Sequence, residues 1–111
     1  MGLDSFWRGQ DGTEGVVQGQ YNLCGGMLSG HGNSSFRGKV YDRVVDTLTG
    51  VSLYQEEIPS ETVKQMAEKL SAVPYSRAVL ADSGLDPDEW QDLVRMFQEH
   101  AKMDHKLLGW W

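Results

Sequence analysis

Residues 25–39, Gly-Gly-Met-Leu-Ser-Gly-His-Gly-Asn-Ser-Ser-Phe-Arg-Gly-Lys, hold the side chains best suited to cradle an anion. Glycine-rich backbone approaches a ligand closely, the N–H groups of a helix start point at it, and serine hydroxyls add donors. Arg37 and Lys39 fall near an expected helix start, where the macrodipole opposes cations and a bound anion would relieve the conflict. The candidate ligand-binding set is therefore Gly30, His31, Gly32, Asn33, Ser34, Ser35, Arg37 and Lys39. The same residues have a plainer explanation. Serines cap helices, glycines make turns, and Arg37, Lys39 and Arg43 can pair with Asp42 and Asp46 on an exposed face. Neither familiar phosphate motif is present. A Walker A loop needs four residues before Gly-Lys and then Ser or Thr, but five residues separate Gly32 from Gly38-Lys39, and Val40 follows. The dinucleotide pattern needs a glycine where Ser35 stands.

Three other groups of residues carry some chemistry. Cys24 and His31 would make a nucleophile and base if the fold joined them, but no third orienting residue is identifiable, and a lone cysteine after a strand is usually a small buried hydrophobe. No catalytic residue is assigned. His100 and Asp104, four apart on an expected helix, would share a face and could build a zinc site with His31 or His105. Such pairs are common on charged helices, so neither metal nor cofactor is assigned. Trp110 and Trp111 follow Gly109, and two adjacent indoles must either pack back on the chain near Trp7 or form an interface with a partner or a second copy.

Composition bounds what these residues can belong to. The 111 residues match the usual size of one domain, and 40% hydrophobic content is enough to form a core. One cysteine excludes an internal disulfide framework. Residues 1–8 lack a signal-peptide apolar run, and no 18 apolar residues follow one another, so a cytoplasmic chain with no membrane span is expected. The formal charge of −6 falls mostly on residues 56–111, with six basic and eleven acidic side chains. Such a field repels phosphate backbones and argues against nucleic-acid binding.

The elements that must position these residues come in two textures. Eleven of the thirteen glycines lie at or before Gly50, which favours short strands and turns there. Residues 3–7 and 15–23 read as a hairpin around Gln10-Asp11-Gly12-Thr13. Phe36, Val40, Val44 and Leu48 repeat every four residues, predicting a helix capped by Asn33, Ser34 or Ser35 and closed by Gly50. Residues 50–55 alternate as a strand, and Pro59-Ser60 opens a second helix with the stripe Val63, Met66, Ala67, Leu70. Pro74 should end it, and residues 75–81 suggest a short helical turn. The last helix has the clearest local code. Asp86 is the cap, Pro87 the first helical residue, Glu89 the capping-box partner, and Leu85 and Trp90 a staple. Trp90, Leu93, Val94, Phe97 and Ala101 form its buried stripe. The expected architecture is α+β: a small antiparallel or mixed sheet, made of the N-terminal hairpin plus one strand, covered by about three helices.

Met1-Gly2-Leu3-Asp4 opening a strand, together with Ser34-Ser35-Phe36-Arg37-Gly38-Lys39-Val40-Tyr41, resembles short uncharacterised proteins of bacteria and their phages. The resemblance implies a phage or bacterial accessory setting and no activity. The leading expectation is a non-enzymatic binding module that recognises a protein partner or a small anionic ligand through residues 30–39. A small enzyme using the glycine-rich loop with Cys24 or His31, and a structural protein that forms a homodimer through its aromatic tail, are the alternatives.

Overall fold

A computed structural model describes residues 2–18, 21, 23, 34–75 and 85–111. They form β1 (Asp4–Arg8), β2 (Ser35–Arg37), α1 (Lys39–Thr49), α2 (Ser60–Ser71), α3 (Pro87–Lys102) and β3 (Lys106–Trp110). The strands make one antiparallel sheet in the order β2-β1-β3, which with the helices gives the expected α+β class. No helix among the described residues is long and apolar enough to cross a membrane.

β1 is central because its alternation suits a strand with one packed face. Ser5 and Trp7 are buried, whereas Asp4, Phe6 and Arg8 are half-exposed. The expected hairpin begins as read: Gly9 N–H donates to Thr13 (2.8 Å), Gly12 takes a φ of 85°, and Arg8 bridges Glu14. Among the described residues it ends there. The Trp7 carbonyl accepts from Gly15 N–H (2.8 Å), while Trp7 N–H donates to Ser34 (2.7 Å), so the rest of that edge belongs to β2. The other edge of β1 pairs with β3, a strand not anticipated in the tail.

Two expectations are corrected here. The first helix starts at Lys39, not after residues 33–35, and its cap is Gly38 with no side-chain hydrogen bond. Pairing with β1 wins over the helical period: Phe36 lies in the core, 6.2 Å from the Trp7 ring and 5.8 Å from Tyr41, so its four-residue spacing from Val40 is incidental. Residues 50–55 form no strand. Asp42 Oδ1 accepts from Leu53 N–H (2.7 Å) and Ser52 Oγ (2.9 Å), and the side chain thereby satisfies backbone that a ladder would otherwise claim. The short helical turn suggested at 75–81 lies almost wholly outside the described residues, which stop at Tyr75.

The remaining helices follow their local codes. Gly50 closes α1 in the left-handed conformation (φ 78°), and Val63, Met66, Ala67 and Leu70 are the buried stripe of α2. Asp86 caps α3 by accepting from Glu89 N–H at 2.8 Å, with Pro87 at the first helical position. The Glu89 side chain is turned inward, where its carboxylate accepts from the Tyr41 hydroxyl (2.6 Å) and ties α3 to α1. α3 ends in a Schellman motif. His105 N–H reaches the His100 carbonyl, Asp104 N–H reaches Ala101, and Asp104 holds the left-handed position at φ 57°.

Both ends of α3 generate expectations for stability. Asp86→Ala should cost about 1 kcal/mol through the lost cap, visible as a lower melting temperature than that of the exposed control Gln91→Ala. Asp104→Gly should raise stability by roughly 0.5–1 kcal/mol, because glycine takes a left-handed φ without steric cost. The Asp104 pair with Lys64 is exposed on both sides, so losing it subtracts little. Denaturant midpoints of the two proteins, with an unchanged slope, check this.

Candidate binding face of the sheet

The register of the sheet builds its outer face row by row. Arg37, Asp4 and Trp110 are neighbours across the three strands, followed by Ser35, Phe6 and Leu108, and then Arg8 and Lys106. Arg37 grips Asp4 with two hydrogen bonds (Nε–Oδ1 2.7 Å, Nη2–Oδ2 3.3 Å), which stabilise its guanidinium charge and raise its pKa further. The Arg8 guanidinium stands 5.5 Å from the Phe6 ring centre, within cation-π range. Lys106 pairs with Glu57 at 3.1 Å.

Trp110 is the focus of this face. Its ring packs at 6.5 Å against Phe6 yet is 71% exposed, although its backbone is fixed in β3 opposite Asp4. Trp111 leans edge-on against Tyr54 at 5.6 Å and is 50% exposed. A surface cavity of about 430 Å³ is lined by Gly2, Asp4, Phe6, Arg37, Trp110 and Trp111.

Comparison with protein-family models, curated proteins and solved structures found no match. The residues themselves must carry the functional reading.

The fold divides the ligand-binding set named from the sequence. Gly30, His31, Gly32 and Asn33 lie outside the described residues, as does Cys24. Ser34 and Ser35 are buried before and within β2, where the Ser35 hydroxyl makes no hydrogen bond. Lys39 is the exposed first residue of α1, and Arg37 is drawn to the sheet face by Asp4. Arg37 thus joins Trp110 and Trp111 in one cavity, although the sequence nominated them for separate roles. Trp110 packs against Phe6, not Trp7. Phe6, Asp4 and Tyr54 were missed, and the signal for the first two was available: if Trp7 points inward, its strand neighbours must alternate outward.

The histidines diverge from the zinc arrangement. Asp104 lies past the end of α3 and pairs with Lys64, while buried His100 turns its Nδ1 to the Nδ1 of His105 at 2.8 Å. No group of three metal-ligating side chains occurs among the described residues.

Gly109 sets the position of the two indoles. A Cβ there would lie 2.5 Å from the Leu53 carbonyl oxygen and 2.7 Å from that of Gln55, which accepts from Gly109 N–H. Gly109→Ala must push β3 off this segment, at a cost of about 1–3 kcal/mol. A lower melting temperature, with loss of the Trp111–Tyr54 cross-peaks in nuclear Overhauser spectra, is the expected result.

Proposed function

We propose that this chain is a non-enzymatic binding module that recognises a protein partner through the outer face of its sheet, with Trp110 at the centre. The observation that carries the reading is an indole fixed in strand register and left 71% exposed beside Phe6 and Arg37. Tryptophan, tyrosine and arginine dominate the binding energy of protein interfaces, because they offer large rigid area with few rotamers to freeze. An apolar partner side chain would stack on Trp110 and fill the cavity beside it, with Arg37 and Asp4 as its polar rim. Catalysis has less support: the charged residues lining the cavity are already bound to each other, and neither a nucleophile nor a histidine is among them.

The anionic-ligand reading keeps Lys39 and the start of α1, but it requires Arg37 to leave Asp4. Peptide-library selection against the wild-type chain, with counter-selection against Trp110→Ala, tests the proposal. Peptides should be recovered whose affinity falls about thirtyfold in Trp110→Ala, the effect of losing about 2 kcal/mol at an interface anchor. The melting temperature should barely change, since the ring is largely exposed. Binding indifferent to Trp110 and Phe6 would overturn the reading. A melt raised by phosphate or a nucleotide in a manner abolished by Arg37→Gln would favour the anionic ligand instead.

A further inference from the structure

The joint between α3 and β3 contains two histidines with ring nitrogens in direct contact, a geometry that accepts only certain protonation states. The Nδ1 atoms of His100 and His105 are 2.8 Å apart and both residues are buried. One ring must donate and the other accept, so the neutral pair combines opposite tautomers. A single added proton is compatible with the contact, because the imidazolium still donates to its neutral neighbour. The His100 ring is stacked at 4.2 Å and 5° on the indole of Trp7, which fixes its plane and the direction of its Nδ1. A second added proton leaves two N–H groups pointing at each other, and the contact cannot persist.

Space decides which ring leaves. His100 is fully buried within α3 between Trp7 and its partner, whereas His105 is 7% exposed and immediately precedes β3. On the hairpin side there is no slack: even a methyl group on Gly15 would stand 3.0 Å from His105 Nδ1. Among the described residues, the charged groups facing His105 are Asp104, which follows α3, and Lys64 of α2, which pairs with Asp104. From β1 and the hairpin, the described groups against the pair are the Trp7 indole and the Gly15 backbone, neither of which titrates.

We propose that the His100–His105 pair is a proton-sensitive latch that fastens β3, and with it Trp110 and Trp111, to the end of α3, and that double protonation releases the strand. As regulation of the binding face, the inference rests on the function proposed above. The latch itself can be measured without a partner.

The direction with pH follows from burial. Desolvation pushes the His105 pKa below its ordinary value of 6.5, outweighing the opposite pull of Asp104. The unfolded chain therefore binds more protons than the folded one as pH falls below about 6.5, and stability is lost in that direction. It is fully present above that value.

The experiment uses the full chain. Nitrogen-15 spectra of the histidine rings at pH 7.5 should show complementary tautomers for His100 and His105. Between pH 7 and 5, amide exchange in β3 should accelerate before that in α2 and the middle of α3. The slope of the logarithm of the unfolding constant against pH should exceed that of His105→Gln by about one proton in this window. If that variant does not fold, the tautomer and exchange measurements on the wild type decide the question. Two rings that titrate independently near 6.5, with β3 exchange unchanged, would overturn the latch. Trp110-dependent peptide binding that is equally strong at pH 7.4 and 5 would also overturn it while leaving the binding face standing. Release of β3 in a protein that selects no peptide at either pH would support the latch and remove the binding face.

Discussion

The indole of Trp7 is where the sheet and the helical layer meet, and each neighbouring element is fixed against it. The ring stacks on His100, stands edge-on to Phe97 at 5.1 Å, and lies 6.2 Å from Phe36. Its backbone N–H and carbonyl are taken by Ser34 and Gly15, and it lies opposite Leu107 of β3. One residue thus sets the relation of α3, β2, the hairpin and β3. Truncating such a side chain removes roughly 3–5 kcal/mol, a large share of a small domain's net stability. The ring nitrogen makes no hydrogen bond, so the stabilisation is apolar area and ring packing offset by about 1–3 kcal/mol of desolvation.

Placing Trp7 inward forces Phe6 outward, because side chains alternate along a strand and a one-residue slip would exchange the two. Gly15 leaves no room for a Cβ against the Trp7–Arg8 backbone and so holds the hairpin close to β1, while Gly109 leaves none against Leu53 and Gln55 and holds the far side of β3 to that segment. The fold asks nothing apolar of the outward positions, since an antiparallel sheet tolerates water on one face when its residues there are polar. Phe6, Leu108 and Trp110 share the outer face nonetheless. Phe6 and Leu108 are only half-buried there and Trp110 is exposed, which is why the proposed binding centres on them.

The parts of this architecture written locally were legible in the sequence. Asp86 and Pro87 mark the start of α3 within one turn, Gly50 marks the end of α1, and the stripe of α2 needs only its own spacing. Strand pairing is another matter, since β1 and β3 join residues as far apart as Asp4 and Trp110. Neither partner's sequence specifies the other. Residues 106–110 read as a tail because Gly109 resembles a helix-breaking residue, when its role is to admit the backbone of Leu53 and Gln55. β2 was hidden by a coincidence of spacing at Phe36. For the site, Arg37, Trp110 and Trp111 were each conspicuous by residue type, but their convergence depends on register, and register becomes visible only when all three strands are in place.

Charge gives the two sides of the molecule different characters. The acidic excess lies on residues 56–111; α3 carries Asp88, Glu89, Asp92 and Glu99 against Arg95 and Lys102, whereas Glu61 and Glu68 of α2 are balanced by Lys64 and Lys69. On the sheet face Asp4 is neutralised by Arg37 and Glu57 by Lys106, while Arg8 lies over Phe6. With screening over about 8 Å at physiological salt, an approaching molecule senses whichever side is nearest rather than the net charge. Under the proposed function, a partner with an apolar side chain flanked by a carboxylate would be repelled from α3 and tolerated at the sheet. Electrostatics of this kind selects orientation, whereas affinity comes from the aromatic contact. The division fits a surface in which Arg37 and Arg8 surround Trp110 and Phe6, while among the described helices the net negative charge falls on α3.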